Sequence, residues 1–375
     1  MSERIFDRSV VISDTIAFTC SSAPISCFDP RRGMLYTIYL ASRTSYGEQR
    51  DIVGLCITPL TQPHRARNLV VVEHGQEVDG VVWRHPFVPT VLFTQAGKVR
   101  VTFLCRHIDS HEYDPSATVY YRDYDPGADV LSGIQPVLCR TPDGIEPLTA
   151  KVYASHMARR GFKDFVLDGE GEEINNTMRN LYHDGVWYGC LTSRQSYPVI
   201  WTSTDDGATV ELQGVIPNLA KYECQFTIAK GAMYCLLRGA EGSNYYISHD
   251  YGRTFTPAAR RVPLWETRPQ MLTYHEKVLM AYSLLGIEPN LIRDGRNNML
   301  LVWGEGDDES RYEQLLFMKN PLGMVYYEII NYKDTLYLIY GTSDLFLDLD
   351  ARKQGKDLLR FSRIGRFDAT GALLC

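Results

Sequence analysis

The residues of this chain best suited to chemistry stand at the heads of short strands of alternating apolar and aromatic residues. Ser22, His85, Asn176 or Arg179, Glu223, Arg268, and Tyr326 or Tyr327 each open such a run. Arginine binds a carboxylate through a planar fork and keeps its charge throughout. Carboxylate, imidazole and phenol side chains accept and donate protons. Brought to one place, these types would hold an acidic ligand and act on a bond beside it. Other chemistries find less support. His107, Asp109, His111, Glu112 and Asp114 crowd one stretch with ligand-type side chains, but their spacing matches no metal motif. There is no Gly-x-Ser-x-Gly elbow and no glycine-rich phosphate loop. No metal and no cofactor is expected.

Such groups converge only if the strands that carry them repeat around a common axis. One pattern does recur, a turn followed by an alternating apolar strand. It appears at 32–39, 96–103, 184–190, 230–236, 276–282 and 334–340. Each copy follows another short apolar run, as a hairpin requires. The third, fourth and fifth copies are evenly spaced, about the length of one four-stranded propeller blade. Ser248-His249-Asp250-Tyr251-Gly252-Arg253-Thr254-Phe255 reads Ser-x-Asp-x-Gly-x-Thr-aromatic, and Ser203-Thr204-Asp205-Asp206-Gly207-Ala208-Thr209-Val210, 45 residues upstream, is a second copy with valine in the aromatic place. In this pattern the Asp carboxylate can accept backbone N–H bonds inside a tight loop, while Gly supplies positive φ. A degenerate copy lies at 123–129, and the matching place near 58–60 has none. Six hairpins imply six blades, an all-β chain forming a six-bladed β-propeller. A β-sandwich or two smaller barrels would also show hairpins at short spacing.

One domain over 1–375 is expected, with an insertion around 131–174 that holds a further strand at 163–168. Val10-Val11-Ile12 and Leu358-Leu359-Arg360-Phe361 are placed to close the ring, and long helices have no obvious position. The 24 Tyr, 14 Phe and 5 Trp suit strands and sugar-facing surfaces alike. A net charge of −6 argues against nucleic-acid binding or attraction to an anionic membrane. No apolar run approaches the roughly 20 residues of a membrane span. The polar N-terminus lacks the apolar segment of a signal peptide, so a cytoplasmic location is expected. The 9 Cys form no paired motif, and those in strand-like runs read as small buried hydrophobes.

The two octets, the Glu223…Arg238 pair and Thr267-Arg268-Pro269 together resemble the sialidase-like propellers, which carry Asp-box (BNR) repeats. The resemblance covers the repeat architecture of the whole chain, and site residues from about 220 to 330. It implies a glycoside hydrolase acting on an oligosaccharide. Tyr326, or Tyr327 one residue on, falls where that family places a tyrosine nucleophile, and Glu223 where it places the activating glutamate. A phenol with pKa near 10 is a weak nucleophile until a carboxylate takes its proton. Arg238 and Arg268, with Arg179 or Arg43, would hold the substrate carboxylate. Asp51 or Glu48 would serve as acid/base. The first half departs from the family, because Ser22-Ala23-Pro24-Ile25 stands where an Arg-Ile-Pro segment is expected. One arginine is therefore absent, which leaves open an acidic sugar other than sialic acid.

The expected activity is exo-hydrolysis of a terminal sialic-acid-like or uronic sugar. Two alternatives stay open. One is a polysaccharide lyase or atypical hydrolase on uronate-containing glycans, using His85 with Tyr326 or Tyr327. The other is a non-catalytic glycan-binding propeller.

Overall fold

A computed structural model describes residues 5–6, 8–14, 17–18, 20–42, 52–78, 81–107, 117–162, 179–192, 197–219, 223–240, 242–259, 261–264, 268–284, 298–306, 312–319, 324, 326–342 and 358–374. Six sheets follow one another along the chain. Blade one contains Cys20–Asp29, Met34–Ser42, Ile52–Pro59 and Arg67–Glu73. Blade two is built on Val81–Phe93, Val99–His107 and Thr118–Asp125. Blade three runs through Leu181–His183, Val186–Leu191, Val199–Ser203 and Thr209–Val215. Blade four comprises Cys224–Ala229, Ala232–Leu237, Tyr245–Ser248 and Thr256–Pro257. Blade five comprises Gln270–Tyr274, Lys277–Tyr282, Asn298–Gly304 and Glu313–Lys319. Blade six has Tyr327–Tyr332, Thr335–Thr342 and Leu358–Phe367. The chain is a six-bladed β-propeller.

The ring is visible in how the apolar side chains partition. Alternate residues of each strand face opposite sides of its sheet, so each blade supplies two apolar faces. Ile25 and Ile38 meet Val91 and Val101 between blades one and two, and Leu92 and Leu104 meet Trp187 and Trp201 between two and three. Cys190 and Ile200 meet Phe226 and Met233 across the next interface. Tyr234 and Leu236 pack on Met271 and Met280, and Leu279 and Trp303 on Ile329 and Leu338. Finally Ile339 and Phe361 of blade six meet Leu35 and Tyr39 of blade one. Sheets packed in a closed cycle need no other core. The seven cysteines whose side chains are described all carry free thiols, and Cys56, Cys105, Cys190 and Cys235 are buried among these side chains.

Closure uses the chain's two ends. Val10–Val11 pairs antiparallel with Leu358–Phe367, with Val10 opposite Phe361 and Val11 opposite Arg360. Ile12 N then donates to Leu359 O at 2.9 Å. This is the pairing expected from the two apolar runs.

All six hairpins form at the expected places. Four have two successive residues at positive φ: Asp184-Gly185, Lys230-Gly231, His275-Glu276 and Lys333-Asp334. That conformation matches the right-handed strand twist. The fifth and sixth copies lack glycine and adopt it nonetheless.

The two octets fold alike. Ser203 Oγ donates to Asp205 Oδ1 at 2.7 Å, and Asp205 Oδ1 accepts Thr209 N at 2.8 Å. Ser248 Oγ donates to Asp250 Oδ1 at 2.8 Å, and Asp250 Oδ1 accepts Thr254 N at 2.9 Å. Gly207 and Gly252 have positive φ, and each N–H donates to the serine hydroxyl of its own turn. The copy in blade two keeps part of this, with Asp125 Oδ1 accepting Gly127 N and Ala128 N. Blade six has a further copy that the sequence pattern missed. There Asp368 Oδ1 accepts Ala372 N at 3.0 Å, four residues on, as Asp205 and Asp250 do.

These turns also join blades. Asp206 Oδ1 accepts Trp187 Nε1 and the Gln95 N of blade two, and Arg100 of blade two donates to the Asp205 and Asp206 carbonyls. Gly214 N of blade three likewise donates to Gly252 O of blade four at 2.9 Å. A Cβ on Gly214 would lie 2.3 Å from that carbonyl, so only glycine permits the approach.

The region 131–174 holds a hairpin, Leu138–Thr141 with Gly144–Pro147, and a 10-residue helix, Ala150–Arg159. The hairpin extends blade three by pairing parallel with Thr209–Val215. Thr149 caps the helix by accepting Val152 N, and Tyr153 and Met157 enter the core between blades two and three. Sequence reasoning had no place for this helix. The strand expected at 163–168 lies outside the described residues. Among those described, no helix is long and apolar enough to cross a membrane.

Candidate active site

Inner strands of successive blades run side by side along the axis, so their starts share one mouth. Glu223 immediately precedes the inner strand of blade four and is 4% exposed. Arg238 follows the second strand of the same hairpin, and its N–H donates to the Glu223 carbonyl at 2.9 Å. The hairpin register thus places the two side chains together, with Arg238 Nη1 2.5 Å from Glu223 Oε2.

Tyr326 precedes the inner strand of blade six, and its phenol hydrogen-bonds the same guanidinium. Burial opposes the Arg238 charge, but Glu223 and then Tyr326 more than offset this and hold the guanidinium firmly protonated. A carboxylate and a phenol therefore converge on one permanent cation.

Arg268 comes from the start of blade five and is 2% exposed. Its guanidinium lies over the Tyr326 ring, 5.1 Å from the centroid. Its Nη2 donates to Pro24 O at 2.6 Å and Tyr327 O at 3.2 Å. Nε and Nη1 of Arg268, and Nε of Arg238, are buried without a hydrogen-bond partner among the described residues. Such donors are costly unless something accepts from them.

Pro24 belongs to Ser22-Ala23-Pro24-Ile25, the segment lacking the expected arginine. Ala23 has φ 54, and the strand register shifts between Ser22 and Ile25. This bulge sets the Pro24 carbonyl against Arg268, a backbone acceptor that no side-chain pattern announces.

Tyr327 differs from its neighbour by strand parity. It is 1% exposed within the core of blades five and six, where desolvation raises its phenol well above the usual range. The structure therefore separates it from the groups around Arg238.

Arg179 is committed elsewhere. It donates to Glu328 Oε1 at 2.9 Å from Nε and 2.5 Å from Nη2, and also to the Ile329 carbonyl. Glu328 is 1% exposed, so Arg179 compensates a buried carboxylate rather than joining Arg238 and Arg268. Sequence reasoning overlooked Glu328, although an acid inside the apolar run Tyr-Glu-Ile-Ile signals a hidden cation.

Arg43, Glu48, Asp51 and Asn176 lie outside the described residues. His85 lies within a described strand, but its side chain, like those of Ser22 and His107, is outside the description, as are 108–116. Among the described residues, no group of three or more His, Cys, Asp or Glu could hold a metal ion.

No family model matches the chain, and no curated protein sequence matches it. Solved structures do resemble it. Trypanosoma rangeli sialidase in complex with sialic acid is similar over 95% of this chain and 57% of that one, with 13% identity and a TM-score of 0.59. A Hadza microbial sialidase is similar over 93% of this chain and 66% of that one, with 13% identity and a TM-score of 0.65. A protein of unknown function from Dyadobacter fermentans matches over 95% of this chain and 97% of its own length, with 12% identity and a TM-score of 0.62. This chain thus spans little more than half the length of the trypanosomal enzymes. At such identities the likeness is one of fold.

Proposed function

We propose that the chain is an exo-glycosidase that hydrolyses a terminal acidic sugar, sialic-acid-like or uronic, from an oligosaccharide. The observation that carries this reading is the convergence of Glu223 and Tyr326 on Arg238, with Arg268 over the phenol ring. The repeated turns, read as Asp boxes, and the sialic acid bound by the trypanosomal enzyme lend support.

Tyr326 Oη attacks the anomeric carbon as its proton passes to Glu223. Arg238 lowers the cost of the developing phenolate. The glycosidic bond breaks, and its oxygen leaves with a proton from Asp51 or Glu48. Water then attacks the same carbon and releases the free sugar; the departing phenolate takes its proton back from Glu223, and water's second proton restores the acid. The unpartnered N–H groups of Arg268 and Arg238 bind the sugar carboxylate.

The test is incubation with sialosides and uronic-acid oligosaccharides, followed by mass spectrometry and ultraviolet absorbance. A released acidic sugar carrying one added water is expected. Tyr326→Phe and Glu223→Gln should each lower turnover at least about a hundredfold while leaving the fold intact. Full activity in both variants would sink the mechanism, and an unsaturated uronide formed without added water would replace hydrolysis with elimination.

A further inference from the structure

At the other end of the axis the inner strands run into their hairpin turns around a cavity of about 480 Å³. Along blade one the lining begins at Ser26, two residues past the Pro24 carbonyl that Arg268 holds, roughly 7 Å further along the strand at ~3.3 Å per residue. Four aromatic rings line it among polar and aliphatic neighbours: Phe28 from blade one, Phe93 from blade two, and Tyr182 and Trp187 from blade three. Tyr182 is 44% exposed, and its ring centroid is 5.2 Å from that of Trp187. Beside them Asn180 is 7% exposed, and neither its amide nitrogen nor its oxygen has a partner among the described residues. Arg179 also lines the cavity, but its charge is matched by Glu328. Arg31, exposed on the turn after Phe28, lines it as well.

We propose that this cavity is a second glycan site, separate from the mouth holding Tyr326, and that it takes one neutral hexopyranose ring. The C–H faces of a pyranose are apolar and flat enough to lie on an exposed aromatic ring such as Tyr182, which Trp187 backs. A carboxamide both donates and accepts, which suits the vicinal hydroxyls at a sugar's edge. Of the two cations that line the cavity, Arg179 already has its anion and Arg31 is exposed to solvent, so no buried unpaired charge there favours a charged ring. The volume lies within the range of small-molecule sites. None of these groups takes part in the proposed hydrolysis, so the site stands whether or not that reading does.

Saturation-transfer NMR on the full chain tests this with methyl β-D-glucopyranoside, methyl β-D-galactopyranoside and methyl β-D-glucuronide. Transfer to a neutral glycoside is expected, unchanged in Arg268→Lys, which alters the other mouth. Tyr182→Ala should weaken it about tenfold, and Tyr182 is exposed enough for the fold to survive its loss. Quenching or enhancement of Trp187 fluorescence, absent in Trp187→Phe, should follow the same titration. No transfer to either neutral glycoside at tens of millimolar overturns the proposal. Loss in Arg268→Lys but not in Tyr182→Ala places the ligand in the other mouth and overturns it as well. A more than tenfold preference for the glucuronide overturns the assignment to neutral sugars.

Discussion

Arg268 spends Nη2 on two backbone carbonyls, Pro24 O and Tyr327 O, which fixes its plane over Tyr326 and leaves Nε and Nη1 as uncommitted donors. A lysine there would keep the charge and lose the fork. With the substrate found by the panel above, Arg268→Lys should raise KM about tenfold or more and lower kcat less, as expected for a group that binds substrate and transition state alike. An unchanged KM would remove Arg268 from substrate binding. Arg179 makes the contrasting case. Its partner Glu328 is buried, so Arg179→Met strands a carboxylate and should cost about 3 kcal/mol in urea unfolding, with KM unaltered. Adding Glu328→Gln should restore most of the loss, and failure to do so would refute the pairing. At this scale the sequence was half legible. The residue types and their places at strand starts were readable, since charges in apolar runs stand out. The choice between Tyr326 and Tyr327 was not, because one residue of register sends adjacent side chains to opposite faces. Nor was the fate of Arg179, which depends on an acid 149 residues away.

Elements explain why those starts sit where they do. The turns at 203–210 and 248–255 close the outer strands of blades three and four and dock on the preceding blades, holding each blade at its angle to the next. Their carboxylates report this in acid. Slight burial works against ionisation of Asp250, but hydrogen bonds from Thr254, Ser248 and Arg253 more than offset it and bring the carboxyl from 3.8 to about 2. A depressed folded-state pKa gives stability that is full above the unfolded value and lost as pH falls through the folded one. The urea midpoint of the native chain should therefore drop between pH 4 and pH 2. Asp250→Asn should be less stable at pH 5 yet lose less over that interval, and parallel curves for the two proteins would contradict the assignment. Asp205 and Asp368 are shifted the same way, so they keep some slope in the variant. The two complete turns were readable because serine, aspartate and glycine all remain. The one at Asp368 escaped notice because Asp-Ala-Thr-Gly-Ala keeps the carboxylate geometry without the serine.

For the whole molecule, the ring must close against six apolar interfaces, and only one of them is sealed by residues from opposite ends of the chain. Ile12 sits at that seam. It is 1% exposed, packs with Leu35, Tyr39, Ile339 and Leu359, and donates its N–H to Leu359 O. Its carbonyl accepts from Asn68 Nδ2 at 3.0 Å and from Cys56 Sγ at 3.1 Å, binding blade one to the same point. The seam was legible because a Val-Val-Ile run near the N-terminus has no hairpin mate nearby and blade six lacked an outer strand. What could not be read was that Ile12, rather than Val10 or Val11, takes the buried position, since three adjacent β-branched residues look alike in sequence. Removing Ile12's side chain leaves a cavity that strands on both sides cannot fill by moving alone. Ile12→Ala should therefore cost about 2–4 kcal/mol, whereas Val10→Ala and Val11→Ala, both only half-buried, should cost about 1 kcal/mol or less. Limited proteolysis adds a topological check. In Ile12→Ala, cleavage should begin within the first 14 residues and accelerate loss of the whole fold, because an opened ring exposes two blade faces at once. Equal destabilisation by all three substitutions would mean that the seam is held by strand pairing alone.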